Sequence, residues 1–227
     1  MTCGVEDTSA TSSGRRSFVR EPGETRRAAL IEATLDCIAD GGAEAATVRA
    51  IAARAGVTQG LIRHYFSTKE ELIGAAFAAL MTRLTEDSAR RLADGGADPV
   101  ARLSAFVSGA LSPPVIDGRD MALWAAFMQI THRDAALRAV HENSYLAFRD
   151  RLETLINDAL TVAGHPAPAS TLRRHAIACN AVIDGLWLEG SALPDAFAPG
   201  ELAAIGRASV GALLRLDLNA PTAGETP

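Results

Sequence analysis

A short polar helix face near position 60 carries the side chains best suited to hydrogen bonding with another molecule. The outward residues of a helix of about seven residues are Gln59, Arg63 and His64. Such side chains can hydrogen-bond base edges in the major groove of DNA, and Gly60 lets that turn approach the bases closely. The pattern alone fits DNA reading and an ordinary helical hairpin with a solvated face equally well.

The neighbouring segments could position this face. Thr47 precedes an apolar helical repeat and can cap it with its hydroxyl group. Gly56 stands where that helix should end, because a left-handed residue costs glycine nothing. Thr58 can cap the short polar helix, and Ser67 with Glu70 predicts a capping box for the next helix. This order predicts a helix-turn-helix.

The stretch IAARAGVTQGLIRHYFSTKEELIGAAF resembles the signature of the TetR family of bacterial one-component repressors. The resemblance runs from Arg26 to Phe77 and departs where Arg63 replaces a frequent tyrosine. It implies an all-α, TetR-like fold with a three-helix helix-turn-helix head and a helical body that binds a ligand and dimerises.

Polar pattern and resemblance together predict two sets of DNA contacts. The base-reading set is Gln59, Gly60, Arg63 and His64. The resemblance implies phosphate contacts by Lys69, with further backbone anchors at Thr47, Thr58 and Tyr65, and Arg49 completes the candidate surface. Double-stranded DNA is therefore the expected partner.

Composition and charge limit the class of protein. The 227 residues are 48% hydrophobic but only 5% aromatic, a composition that favours packed helices. The net charge of −5 argues against a protein that coats nucleic acid. Five arginines nevertheless precede or open the first helix: Arg15, Arg16, Arg20, Arg26 and Arg27. Neither a signal peptide nor a membrane-spanning run is found, and three separated cysteines suit a reducing compartment, so we expect a cytoplasmic protein.

The chain divides into four expected parts. Residues 1–20 form a disordered arm, 21–67 the DNA-binding head, 68–217 the ligand-binding and dimerisation body, and 218–227 a disordered tail. Helices are expected at 23–40, 68–92, 117–131, 133–163, 170–192 and 199–216, with another that Asp98 and Pro99 begin. The last two helices are rich in small residues, which suits either a four-helix dimer interface or tight packing within one subunit.

The body carries no recognisable catalytic or metal-binding motif. Its histidines are scattered, no pair stands at i, i+4 spacing, and no nucleophile motif is present. We therefore expect no enzyme activity, no metal and no cofactor.

An acid and aromatic residues could instead hold a small molecule. Asp184 and Trp187 lie one helical turn apart on an apolar helix, and Trp124 with Phe127 could supply aromatic walls from another helix. Such a group could bind an organic cation by charge and cation–π attraction. The alternative is that the three aromatic residues are core and Asp184 lies at the dimer seam.

LWAAF and the later IDGLWL resemble the carboxy-terminal domain of BetI-type repressors, over a stretch from Met121 to Leu193. The resemblance implies choline as a candidate effector, since those repressors sense choline and control glycine betaine synthesis. The expected protein is a homodimeric repressor that leaves a near-palindromic operator when a small molecule binds. An activator of the same type, and a helical ligand-binding or enzymatic dimer that has lost DNA binding, remain alternatives.

Overall fold

The computed structural model describes residues 23–132 and 134–219, which form nine α-helices and no β-strand. The helices are α1 (Gly23–Gly41), α2 (Val48–Arg54), α3 (Gln59–Tyr65), α4 (Lys69–Arg90), α5 (Pro99–Ala110), α6 (Gly118–Thr131), α7 (Ala135–Val162), α8 (Ala169–Ala192) and α9 (Glu201–Leu214). The predicted all-α fold is confirmed, and the helix ends differ from the expected ones by a residue or two. The predicted arm, residues 1–20, lies outside the described residues.

The helix-turn-helix forms as the local sequence predicts. The Thr47 hydroxyl accepts a hydrogen bond from the Ala50 amide at 3.1 Å, and the Thr58 hydroxyl accepts one from the Leu61 amide at 3.3 Å. Gly56 has a φ of +64°, a value that side-chain-bearing residues avoid. Each short helix therefore begins at a threonine, and the turn between them passes through a glycine.

The predicted capping box is wrong by one residue. Thr68, not Ser67, is the N-cap of α4, and its hydroxyl accepts from the Glu71 amide at 3.0 Å. The Glu71 carboxylate, not that of Glu70, accepts from the Ser67 amide at 2.7 Å. Two adjacent hydroxyl residues can each serve as a cap, and the chain uses the one immediately before Lys69, where α4 starts.

Two hydrophobic cores organise the described chain. The first joins the head to α4, α6 and the start of α7, with members that include Leu30, Ile38, Ile51, Phe66, Phe77, Leu123, Phe127 and Leu137. The second is built from α5, α7, α8 and α9, with members that include Phe106, Leu152, Ile156, Cys179, Ile183 and Val210. Because the first core crosses the expected boundary at residues 67 and 68, the head shares buried side chains with the body.

The chain remains packed slightly beyond the expected end of the body. Leu218 is buried, and the Ser104 hydroxyl on α5 donates to its carbonyl oxygen at 2.7 Å. The predicted disordered tail therefore differs from the structure at Leu218 and Asn219, and its remainder lies outside the described residues. A buried apolar side chain holds this end against the second core.

Candidate nucleic-acid interface and ligand cavity

The outer face of α3 is polar and exposed. Gln59, Gly60, Arg63 and His64 are all exposed, whereas Ile62 and the C-cap residue Phe66 are buried in the first core. The inward residues thus hold the short helix on the head. The four predicted base-reading residues share the side of α3 that remains available to a partner.

The predicted phosphate contacts flank α3. Thr47, Arg49 and Thr58 are exposed, and Tyr65 and Lys69 are half-buried. Each threonine hydroxyl accepts a capping bond but keeps its own proton, so it can still donate to a phosphate oxygen. Lys69 is the first residue of α4, where free amides and the helix dipole also favour an anion.

An ion-pair network that the sequence did not reveal joins the head to the body. Arg54 on α2 pairs with Asp36 and Asp40 on α1, and Arg119 on α6 donates to Asp36 at 2.6 Å. No local sequence pattern predicts ion pairs between residues this far apart in the chain. They tie α6 of the body to the helix on which the motif packs.

A second group of ion pairs joins α4 to α6 and α1. Arg83 donates to Asp120 of α6 at 2.7 Å and lies 3.8 Å from the Glu32 carboxylate of α1. Asp120 is buried, and that burial raises the pKa of its carboxyl group, opposed by the attraction of Arg83. Helices α1, α4 and α6 are thus joined by charge as well as by the first core.

A cavity of about 430 Å³ lies inside the body. It is lined by side chains of α4, α6, α7 and α8, among them Met81, Trp124, His141, Tyr145, Phe148, Asp184 and Trp187. Three of the four predicted ligand-binding residues therefore share one cavity. The fourth, Phe127, does not line this cavity: its ring is fully buried and stacks on Phe77 at 4.5 Å between centroids, within the first core.

The polar end of the cavity centres on Asp184. The Tyr145 hydroxyl donates to its Oδ2 atom at 2.6 Å, and Asn180 Nδ2 donates to the same oxygen at 2.8 Å. Burial raises the pKa of Asp184, while these two hydrogen bonds oppose the rise. Burial and the Asp184 contact raise the pKa of Tyr145 to about 12, so it remains a neutral donor. A carboxylate with a desolvation penalty is a group that a bound cation would stabilise.

Two indole rings form the wall beside this carboxylate. Trp124 and Trp187 meet edge to face, with centroids 5.9 Å apart and planes at 76°. Trp187 Nε1 donates to the Val115 carbonyl at 2.8 Å, which fixes its ring and leaves no indole N–H for a ligand. Fixed aromatic faces near an acid are the elements of a cation–π site.

Sequence reasoning missed the contribution of α7 to the cavity. His141, Tyr145 and Phe148 all line it and follow one another at i, i+4 and i+7, which is one helical face. That spacing was the available signal, but only the fold places this face opposite Asp184.

Within 23–132 and 134–219, no group of three or more His, Cys, Asp or Glu side chains could hold a metal ion. No helix in the same ranges is long and apolar enough to cross a membrane.

The geometry defines a helix-turn-helix protein whose body encloses a ligand-sized cavity, and comparison with known proteins agrees. Residues 30–76 match the profile of bacterial regulatory proteins of the tetR family. Residues 99–215 match the C-terminal profile of the BetI-type transcriptional repressors. The chain belongs to the TetR family of transcriptional regulators, with a body of BetI type. These families are regulators and not enzymes, in agreement with the sequence-based expectation.

Individual relatives cover most of the chain. The HTH-type transcriptional regulator BetI of Stenotrophomonas maltophilia is 36% identical over 73% of this chain and 81% of its own length. The crystal structure of a transcriptional regulator from Pseudomonas aeruginosa PAO1 is similar at a TM-score of 0.78 and 32% identity, covering 88% of this chain and 95% of the other. A regulator from Saccharomonospora viridis, crystallised with choline, has the same fold at a TM-score of 0.65 and 17% identity, over 85% and 96% of the two chains.

Proposed function

We propose that the protein is a homodimeric repressor that leaves its operator when an organic cation, with choline as the first candidate, enters the body cavity. The observation that carries this proposal is a half-buried carboxylate, Asp184, enclosed in one cavity with the rings of Trp124 and Trp187. Because its target is DNA, we place the protein in the cytoplasm.

On the DNA side, α3 is proposed to enter the major groove. Gln59, Arg63 and His64 would hydrogen-bond base edges, with Gly60 allowing the close approach. Lys69, Tyr65, Arg49 and the two capping threonines would hold phosphates on either side. Two heads related by a two-fold axis would then read the halves of a near-palindromic operator.

For the effector, charge and shape support a small cation. The carboxylate already accepts two hydrogen bonds through Oδ2, and no Lys or Arg is among the described side chains that line the cavity. A quaternary ammonium group would supply the missing charge and present methyl groups to the indole faces. The S. viridis regulator, crystallised with choline, supports the idea that this fold can enclose such a molecule.

Exposed apolar residues on the last two helices support a dimer. Of the seven large apolar side chains that are exposed within the described residues, four lie on α8 or α9: Ile177, Leu188, Ile205 and Leu213. Helices α8 and α9 pack on each other, so their outer faces can pair with the same faces of a second copy. We therefore assign the homodimer interface to α8 and α9.

Release from DNA follows if the cation binds better to a state in which the two heads are wrongly spaced. The effect of the ligand cannot exceed its differential affinity for the two states. Helix α4 is the structural link, since it begins at the head with Lys69 and its residue Met81 lines the cavity.

The test combines operator binding with an effector titration. Fluorescence anisotropy on a labelled fragment from upstream of the protein's own gene should show specific binding, and saturating choline should weaken it. Asp184→Asn should keep operator binding but lower choline affinity at least ~10-fold, the equivalent of about 1.4 kcal/mol. Asp150→Asn, which neutralises an exposed carboxylate on α7, is the matched control and should behave as wild type.

Two outcomes would reject the proposal. Equal affinity for the upstream fragment and for unrelated DNA would remove the operator function. Choline binding that is unchanged by Asp184→Asn, or absent at millimolar concentration, would remove the cation site. A promoter–reporter assay completes the test, because loss of the protein should raise transcription; a fall would identify an activator.

A further inference from the structure

A row of side chains leads from the cavity to the first core. The Tyr145 hydroxyl donates to Asp184, and the Tyr145 ring lies 5.6 Å from that of His141. The His141 ring stacks on Phe77 of α4 at 6.0 Å between centroids, with planes at 13°. Phe77 in turn stacks on Phe127 of α6 at 4.5 Å. Each member touches the next, and the row ends on the two helices that share a core with the head.

His141 contributes an aromatic ring to this row. Its Nδ1 atom is buried and has no hydrogen-bond partner, and burial lowers the pKa of the imidazole, opposed by Glu142 and Asp184. A buried polar atom without a partner costs free energy that an apolar ring would avoid. The ring of His141 contacts the rings of Tyr145 and Phe77.

The contact between Tyr145 and Asp184 lies where a bound cation would be held. The Tyr145 hydroxyl donates to Asp184 Oδ2 at 2.6 Å. A trimethylammonium group in contact with this carboxylate would lie beside the Tyr145 hydroxyl and could shift the Tyr145 side chain. Close-packed rings pass on such a displacement because the interior has little free volume to absorb it.

We propose that His141 is the positioning residue that couples cavity occupancy to α4, by transmitting the displacement of Tyr145 to Phe77. This inference rests on the proposed cation site and adds the route by which that site controls the head. The ion pair between Arg83 and Asp120 also links α4 to α6, but neither residue lines the cavity.

The test separates ligand binding from coupling with two substitutions at one position. His141→Leu removes the ring and fills a similar volume, whereas His141→Phe keeps a ring and removes both nitrogens. For each variant, choline affinity is measured by calorimetry, and operator affinity is measured with no choline and with saturating choline. The coupling is the ratio of the two operator dissociation constants.

Wild type should show a coupling of at least ~10-fold, within the usual range for allosteric proteins. His141 lines the cavity, so His141→Leu should lower choline affinity to some degree, but at saturating choline it should show a coupling below ~3-fold. His141→Phe should retain the wild-type coupling, a rescue that a general structural role would not produce.

Phe148→Leu is the matched control. Phe148 lies on the same face of α7 and also lines the cavity, but its ring packs on Phe106 of the second core, 5.2 Å away. The substitution should weaken choline binding and leave the coupling at saturation unchanged. Wild-type coupling in His141→Leu, or equal loss in His141→Leu and His141→Phe, would overturn the role of His141. Absence of choline binding or of operator release in wild type would instead reject the proposed function.

Discussion

Two residues of the cavity reduce the stability of the fold. Asp184 is a carboxylate whose pKa is raised by burial, and His141 has a buried nitrogen without a partner. Apolar residues of similar size would avoid both penalties. Such unfavourable groups often mark functional positions, and here they lie on facing helices around one cavity.

At the same scale, Lys69 gives a prediction for the DNA interface. Lys69→Ala should weaken binding to all DNA sequences and reduce the slope of log affinity against log salt by about one unit, because one phosphate contact and its released counterion are lost. The measurement is anisotropy across a salt series. Arg151→Ala removes an exposed positive charge from α7 and should leave the slope unchanged; an unchanged slope in Lys69→Ala would remove that residue from the interface.

At the scale of elements, α4 is the helix on which both halves depend. Its N-terminus is capped by Thr68 beside the motif, and its length packs on α1, α5 and α7. Phe77 and Leu80 on this helix are buried in the first core, whereas Met81, Leu84 and Ser88 line the cavity. A change of packing in the body therefore acts on the helix that carries the head.

The approach of α5 to α4 depends on a glycine. A Cβ atom at Gly109 would lie 2.4 Å from the Ser88 carbonyl oxygen, which is backbone and cannot turn aside. Gly109→Ala should therefore destabilise the fold by about 2–3 kcal/mol and lower Tm by ~5–10 °C for a chain of this size. Gly74→Ala on α4 meets only an ordinary contact, 3.7 Å from Leu137, and should raise Tm slightly. Similar Tm values for the two variants in calorimetry would contradict this packing.

At the scale of the whole molecule, two hydrophobic cores and an ion-pair network connect the helices. Helices α8 and α9 also present exposed apolar side chains on their outer faces. The first core and the pairs of Arg54, Arg83 and Arg119 join the head to α4 and α6. The buried side chains of α8 and α9 pack in the second core. A rigid support is what a dimer interface needs if it is to set the spacing of the two heads.

The proposed homodimer can be tested with substitutions on the outer face of α9. The double variant Ile205→Glu with Leu213→Glu should shift the protein from dimer to monomer in sedimentation velocity, because buried unpaired charges oppose association. Its helical circular dichroism should persist, since both side chains are exposed in the single chain. Val162→Glu alters an exposed apolar residue on α7 instead and should remain dimeric; a dimer in the double variant would move the interface elsewhere.

Local sequence was sufficient to predict the helices of the head and one pair of residues that line the cavity. Thr47, Gly56 and Thr58 define the helix-turn-helix because caps and left-handed glycines act within a few residues. Helical spacing was sufficient to pair Asp184 with Trp187, since residues one turn apart share a face. The single register error, at Ser67, arose where Thr68 could serve the same role.

Tertiary structure alone decided which distant side chains meet. Trp124 and Phe127 are near neighbours on α6, yet one lines the cavity and the other stacks on Phe77 within the first core. The bond from Tyr145 to Asp184 joins positions 39 residues apart, and no local pattern specifies such a pair. Local chemistry selects helices and their polar faces, whereas the packing of one helix on another determines which of those faces enclose a common space.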